Sequence, residues 1–583
     1  MLRLPALAIL YALLVACAAQ TPVTPTEVTA TPKPAAKPPE RPFTQDSLYS
    51  LLVAEFALRR HAYDITLDEY MAQAPLLRDP GVSEHTTHLA QFLQKDDAAL
   101  QSARLWVELA PDNAEANNTL AGLLARQGRT LEALPYLAVV ERQTGSANFP
   151  MLLNGFGQLT DEQRDLLVQG IDKLSAEFPQ NTRLLLTQAL IHAEYQQYDL
   201  ALDDLDKLFK LDPEQPQAVL LEARILIEQN ADNPYARLQR ILKENPDAKL
   251  LRLQYARLLA GSDMNAAREQ FEILSEQSPG DSDLLFSLAL ISRETGDPVA
   301  ARSYLRQTIA LGQREDEAYY YLGRMAEDEN EPEEAIANYM LVRNGPEYLA
   351  ATDRIGQLLI ADGQQERSHD WFNQQREANP EMQEQLYGLE ADILTRAGKL
   401  QDALATLDQG LAETPDSTSL LYGRAMLLEQ MDDLVGMERD LRTILKADPD
   451  NATALNALGY TLADRTRRYE EAMQLISRAL ELQPDEPAIL DSMGWVLFRT
   501  GHYDDAVVYL SRAYADFPDP EVAAHLGEVL WVKGDTEAAI SVWQGALLRD
   551  PDHPVLLDTL ERLEVTMPEM PPSKVPPPVE NRP

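Results

Sequence analysis

Cysteine is almost missing: Cys17 is the only one in 583 residues. No internal disulfide can form, so stability must come from packing alone. Basic residues are scarce as well. Lys and Arg number 51 against 93 Asp and Glu, a formal charge of −42. Neutralising phosphates needs basic patches, so nucleic acid is excluded as a partner. Acidity on this scale keeps a long surface soluble, and it favours partners with basic or neutral faces. The 8 histidines are scattered. His85 and His88, with Glu84 beside them, read as a helical surface pair rather than a zinc site. There is no G-x-S-x-G, no phosphate-cradling P-loop and no H-E-x-x-H, the patterns that carry the commoner hydrolytic and nucleotide chemistries. Neither catalysis nor a cofactor is expected.

The apolar run at the start, residues 4–16, is too short to span a bilayer as a permanent helix. With Arg3 ahead of it, residues 1–16 read as a cleaved secretory signal. Leu14-Val15-Ala16-Cys17 resembles a lipobox, in which the cysteine becomes a lipidated N-terminus. A stray cysteine in a signal peptide is the plainer reading. The position and uniqueness of Cys17 and the linker after it favour lipidation. Several acyl chains would hold the chain stably on a membrane. Ala18 follows rather than Asp, which by resemblance to bacterial lipoproteins implies the outer membrane. Residues 17–43 form a tether with seven prolines between Pro22 and Pro42. Such a stretch builds no core, and 25 residues of it reach on the order of 75 Å.

Residues 44–81 are helical but out of step with residues 82–564. Leu48, Leu51, Leu52, Val53 and Phe56 make one apolar face. It reads either as a cap over the first repeat or as a docking helix for a partner.

A repeat governs residues 82–564. Its clearest copies are Met493-Gly494, Leu497, Gly501, Ala506, Leu510, Ala513, Pro518, and Leu526-Gly527, Leu530, Gly534, Ala539, Trp543, Ala546, Pro551. Glycines, alanines and prolines recur after 33 residues. In a first helix, Gly494 lets another helix approach closely. In a second helix, Ala506, Leu510 and Ala513 share one face at i, i+4 and i+7. Gly501 suits the left-handed residue of the hairpin turn, and Pro518 ends the second helix. Prolines at the same phase fall at 111, 179, 213, 246, 279, 380, 415, 449, 484, 518 and 551. Period and phase resemble the tetratricopeptide repeat (TPR) family. The resemblance implies an all-α superhelical solenoid of roughly fourteen hairpins whose first helices line the concave binding face. Residues 565–583 return to a proline-rich, disordered tail.

Counted by phase, the concave positions near the C-terminus hold Tyr460, Trp495, Phe498, Arg499 and Trp531, a candidate partner-binding wall that equally fits packing between hairpins. Tyr320 and Arg324, beside Glu317, form a second patch. The family's peptide clamp uses Lys and Asn at such positions. Tyr460, Trp495 and Glu528 stand where Asn would be, a departure from that clamp. The assembled pattern resembles pseudomonad lipoproteins that partner the carboxyl-terminal processing protease. That resemblance implies a periplasmic scaffold which holds the serine protease and presents peptidoglycan cross-link hydrolases to it, with Leu48, Leu51, Leu52 and Phe56 as candidate docking residues. An assembly factor for an envelope machine (pilus, outer-membrane protein or exopolysaccharide export) and a peptidoglycan-binding lipoprotein remain open beside it.

Overall fold

The computed structural model describes residues 45–567. The signal segment, Cys17, the tether and residues 568–583 lie outside the described residues. The described chain is helical throughout, with three short 3-10 segments. No described helix is long and apolar enough to cross a membrane. The chain divides between Gly296 and Asp297 into two compact units.

The repeat marks do the mechanical work expected of them. The second helix Tyr503–Asp516 stops two residues before Pro518, and Leu400–Glu413, Leu434–Ala447 and Tyr469–Leu482 stop two residues before Pro415, Pro449 and Pro484. A residue ahead of proline is pushed out of helical dihedrals, which accounts for the shared ending. The hairpin turns need a left-handed residue. Gly501 and Gly534 supply it with φ of 85° and 96°, while Asn330 and Asp432 do so elsewhere, residue types that tolerate this region. First helices begin on caps such as Asn451, whose Oδ1 accepts the Ala454 amide at 3.0 Å, or on proline at the first position, as at Pro487, Pro520 and Pro554.

Packing follows the small residues. A methyl group on Gly494 would lie 2.5 Å from Leu510 Cγ and 3.1 Å from the Ala506 carbonyl oxygen. Ala506, Leu510 and Ala513 are fully buried. Burying a leucine side chain contributes about 2 kcal/mol. Tyr339 fills the same place against Gly323, and Trp543 against Gly527.

Two repeats depart from the pattern. In the first unit, a regular first helix is replaced by the short turns Phe149–Leu153 and Phe156–Gln158. Gly155, at φ 74°, interrupts any continuous helix, yet Phe149, Leu152 and Phe156 still fill the core. In the second unit, the helix Pro332–Tyr339 stops seven residues before Pro346, so that proline is not its terminator. The loop between is held by Asp316, whose Oδ1 accepts the amides of Arg343 (2.6 Å) and Asn344 (3.3 Å).

Residues 44–81 supply the helices Gln45–Arg59 and Tyr63–Leu77. Ala54, Leu67, Tyr70 and Ala74 are buried between them and the next helix, Pro80–Phe92.

Candidate functional site

Within the second unit, the first helices Ala452–Arg465, Pro487–Arg499, Pro520–Lys533 and the closing Pro554–Arg562 pack side by side. Their second helices stand further apart. The positions counted by phase fall on this wall. Its chemistry differs from the sequence-based expectation in one respect: it is organised around a histidine.

His525 is 5% exposed. Its Nδ1 lies 2.9 and 3.0 Å from the two carboxylate oxygens of Asp491, on the preceding first helix. Its ring stacks on Trp495 at 4.2 Å between centroids. Its Nε2 faces the Tyr460 hydroxyl at 3.4 Å, and that hydroxyl reaches Glu521 at 3.5 Å. The Trp495 indole N–H donates to Asp464 at 3.0 Å. Arg499 donates to the Asp464 carbonyl (2.9 Å) and carboxylate (3.2 Å). Three successive first helices are thus tied by one polar cluster.

Burial of His525 acts to lower its pKa. The charge and hydrogen bond of Asp491, then the charges of Glu521 and Asp464, outweigh burial and hold it above the ordinary value. The Tyr460 phenol is pushed far up by burial and by the same carboxylates, so it stays a neutral donor. Sign follows from linkage. A histidine whose folded pKa exceeds its unfolded value of about 6.5 stabilises the fold fully below that value, and the contribution is lost as pH rises through the folded pKa. Local opening of residues 487–533, followed by hydrogen exchange and corrected for intrinsic rates, should become easier as pH is raised above about 6.5. His525→Gln should flatten that dependence; equal slopes in both proteins would refute it.

Of the residues singled out from sequence, Tyr460, Trp495, Phe498 and Arg499 come together here. Trp495 is buried, so it packs the wall and offers no open aromatic face. Trp531, on the same helix as His525, packs instead on Trp543 of its own hairpin, tilted, with centroids 5.8 Å apart. Glu528 is claimed by a two-pronged pair with Arg562 (2.6 and 2.8 Å). In the second patch, Tyr320 lies 5.7 Å from Tyr339, and its hydroxyl holds the Arg324 pKa up. Glu317 does not join them: it is paired with Arg314 at 2.6 Å. His525 and Asp464 were missed. The available signal was a histidine inside the nearly continuous apolar run of Pro520–Lys533, where only a partnered titratable group fits.

At the other end, Leu51 turns inward, packed against the core. Leu48, Tyr49, Leu52 and Phe56 face outward, with exposures of 50, 72, 48 and 60%. The stripe runs at i, i+4 and i+8 along one helix.

A tetratricopeptide repeat model matches residues 257–313, 293–348, 438–487 and 492–554. The chain is 39% identical over 488 residues to the TPR repeat-containing protein PA4667 of Pseudomonas aeruginosa, covering 83% of this chain and 82% of that protein. Among solved structures, a thermophilic TPR protein of Thermus thermophilus aligns at 21% identity over 31% of this chain and 100% of its own, with TM-score 0.29. Yeast Tom70 aligns at 15% identity over 89% of this chain and 99% of its own, with TM-score 0.30. Neither structural likeness bears on function. The period, the paired helices and the near full-length relative place this chain in the tetratricopeptide repeat family, whose repeats serve as scaffolds for binding protein.

Proposed function

We propose that this protein is a lipid-anchored periplasmic adaptor of the outer membrane. It holds a carboxyl-terminal processing serine protease and delivers substrates such as peptidoglycan cross-link hydrolases to it. The observation that carries the reading is the uncovered Leu48, Tyr49, Leu52, Phe56 stripe directly after the tether. Exposed apolar side chains lined up on one helix face fit an amphipathic docking helix. The lipobox-like Leu14 to Cys17 and the proline-rich residues 17–43 support the anchor. The first-helix wall around Tyr460 and Arg499 offers the surface for substrate.

The mechanism is effective concentration. Two partners held on one scaffold meet as if at millimolar levels, without any new catalytic group. Trp495 is enclosed, which leaves little aromatic face for stacking on glycan and favours protein cargo over direct wall binding.

Deleting residues 44–80 should abolish protease activation and spare substrate binding; loss of both, or of neither, would count against the reading. A milder form is Leu52→Glu with Phe56→Glu. Both sites are exposed, so helicity and melting should hold while protease affinity falls by tenfold or more, about 1.4 kcal/mol.

A further inference from the structure

We propose that Glu84, His88 and Glu115 form a site for a divalent transition-metal ion of the Zn2+ type. Glu84 and His88 stand one turn apart on the helix Pro80–Phe92, so their side chains share a face. Glu115 lies in the first turn of Ala114–Arg126, the first helix of the next hairpin. One donor atom from each of the three lies within 4.8 Å of the other two. Zn–N and Zn–O bonds of about 2.0–2.2 Å put neighbouring donors roughly 3.3–3.5 Å apart, so adjustments of about 1 Å in the exposed His88 and Glu115 and the half-buried Glu84 close the site.

Two further observations set this cluster apart. First, the imidazole is oriented. The His88 ring stands edge-on to Trp106 at 5.6 Å and 88°, and Trp106 is buried. Nε2 is thereby turned toward Glu115 Oε1 at 3.7 Å, beyond hydrogen-bond range. Second, neither Glu84 nor Glu115 has an arginine among the described residues. Other carboxylates linking hairpins in this unit do: Glu132 is held by Arg104 and Glu177 by Arg142. Here two carboxylates and one imidazole nitrogen converge with no arginine to neutralise them, a donor set that a dication can bridge.

The donor set selects the metal. One imidazole nitrogen with two carboxylates suits Zn2+ and its transition-metal neighbours, whereas Mg2+ and Ca2+ prefer oxygen alone. Three protein ligands leave a fourth position for water or for a side chain from a bound partner. The ion would fasten two successive first helices together near the N-terminal docking stripe. This site stands independently of the adaptor reading.

The test is calorimetric titration of the detergent-solubilised full-length chain with Zn2+ alone, in the presence of a competing chelator. One tight equivalent is expected. Its affinity should fall by at least about tenfold in His88→Ala and in Glu115→Gln, and stay unchanged in His85→Ala, whose ring packs on Tyr70. It should weaken as pH drops and protons compete for the imidazole. Circular dichroism should show equal helicity in all variants, since His88 and Glu115 are exposed. No tight equivalent, a tight equivalent that survives His88→Ala, or equal competition by Mg2+ would each overturn the proposal.

Discussion

Trp543→Ala should lower the local stability of the C-terminal hairpins by about 3–5 kcal/mol, the usual cost of emptying a buried aromatic site. Trp543 is 0% exposed and occupies the space left by Gly527. A methyl group on Gly527 would lie 2.1 Å from Trp543 Nε1 and 2.3 Å from Cε2. Gly527→Ala alone therefore forces the indole to move and should cost about 1–3 kcal/mol. The double variant is the informative one. The alanine methyl group partly fills the emptied site, so the combined loss should be smaller than the sum of the single losses. Solenoids do not unfold as one unit. The readout should be hydrogen exchange of peptides within residues 520–547, which reports local opening. Simple additivity would contradict the packing described for this pair.

The second large effect is expected at Arg376. Its guanidinium and the Glu390 carboxylate are each 3% exposed and 2.7 Å apart. The guanidinium also stacks over the Tyr387 ring at 4.1 Å and donates to Asn373 at 2.8 Å. Arg376→Ala leaves Glu390 buried with only His369, at 2.8 Å, to answer its charge. Breaking a buried pair from one side costs about 3–5 kcal/mol. Replacing both members with apolar residues, Arg376→Met with Glu390→Leu, should recover most of that loss, because no uncompensated charge remains. Exchange protection of residues 365–396 measures both. A double variant no more stable than Arg376→Ala would mean that the pair itself, and not the orphaned carboxylate, carries the stability.

Much of the architecture was legible because the repeat is written in residues that backbone geometry demands. Gly494 and Gly527 are required by close helix approach, Gly501 and Gly534 by the left-handed turn, and Pro415, Pro449, Pro484 and Pro518 by helix termination. Where such marks fade, so does the reading. The Phe149–Leu153 turn stands where a helix was expected, cut short by Gly155 in the left-handed region, and the short helix Pro332–Tyr339 ends where no proline stands. The candidate wall was legible as positions but not as partners. Phase puts Tyr460, Trp495 and Arg499 on the same side. It does not say that Trp495 will be closed over by His525 from the next hairpin, because that contact is made only by tertiary packing. Likewise Glu115 meets His88 only once two hairpins are stacked. On the N-terminal helix, periodicity grouped Leu51 with Leu48, Leu52 and Phe56. Docking of that helix on the next one splits them, with Leu51 turned in and the other three turned out.

If the scaffold brings a protease to its substrates at the membrane, all three should be recoverable together. The decisive experiment is a detergent pull-down of tagged full-length protein from its native membranes, with partners identified by mass spectrometry and Cys17→Ser run in parallel. A carboxyl-terminal processing protease should appear together with cell-wall hydrolases, and membrane association should be lost in Cys17→Ser. Recovery of a secretin, an outer-membrane barrel or an export synthase without any protease would contradict the adaptor function, and would make the protein an assembly factor.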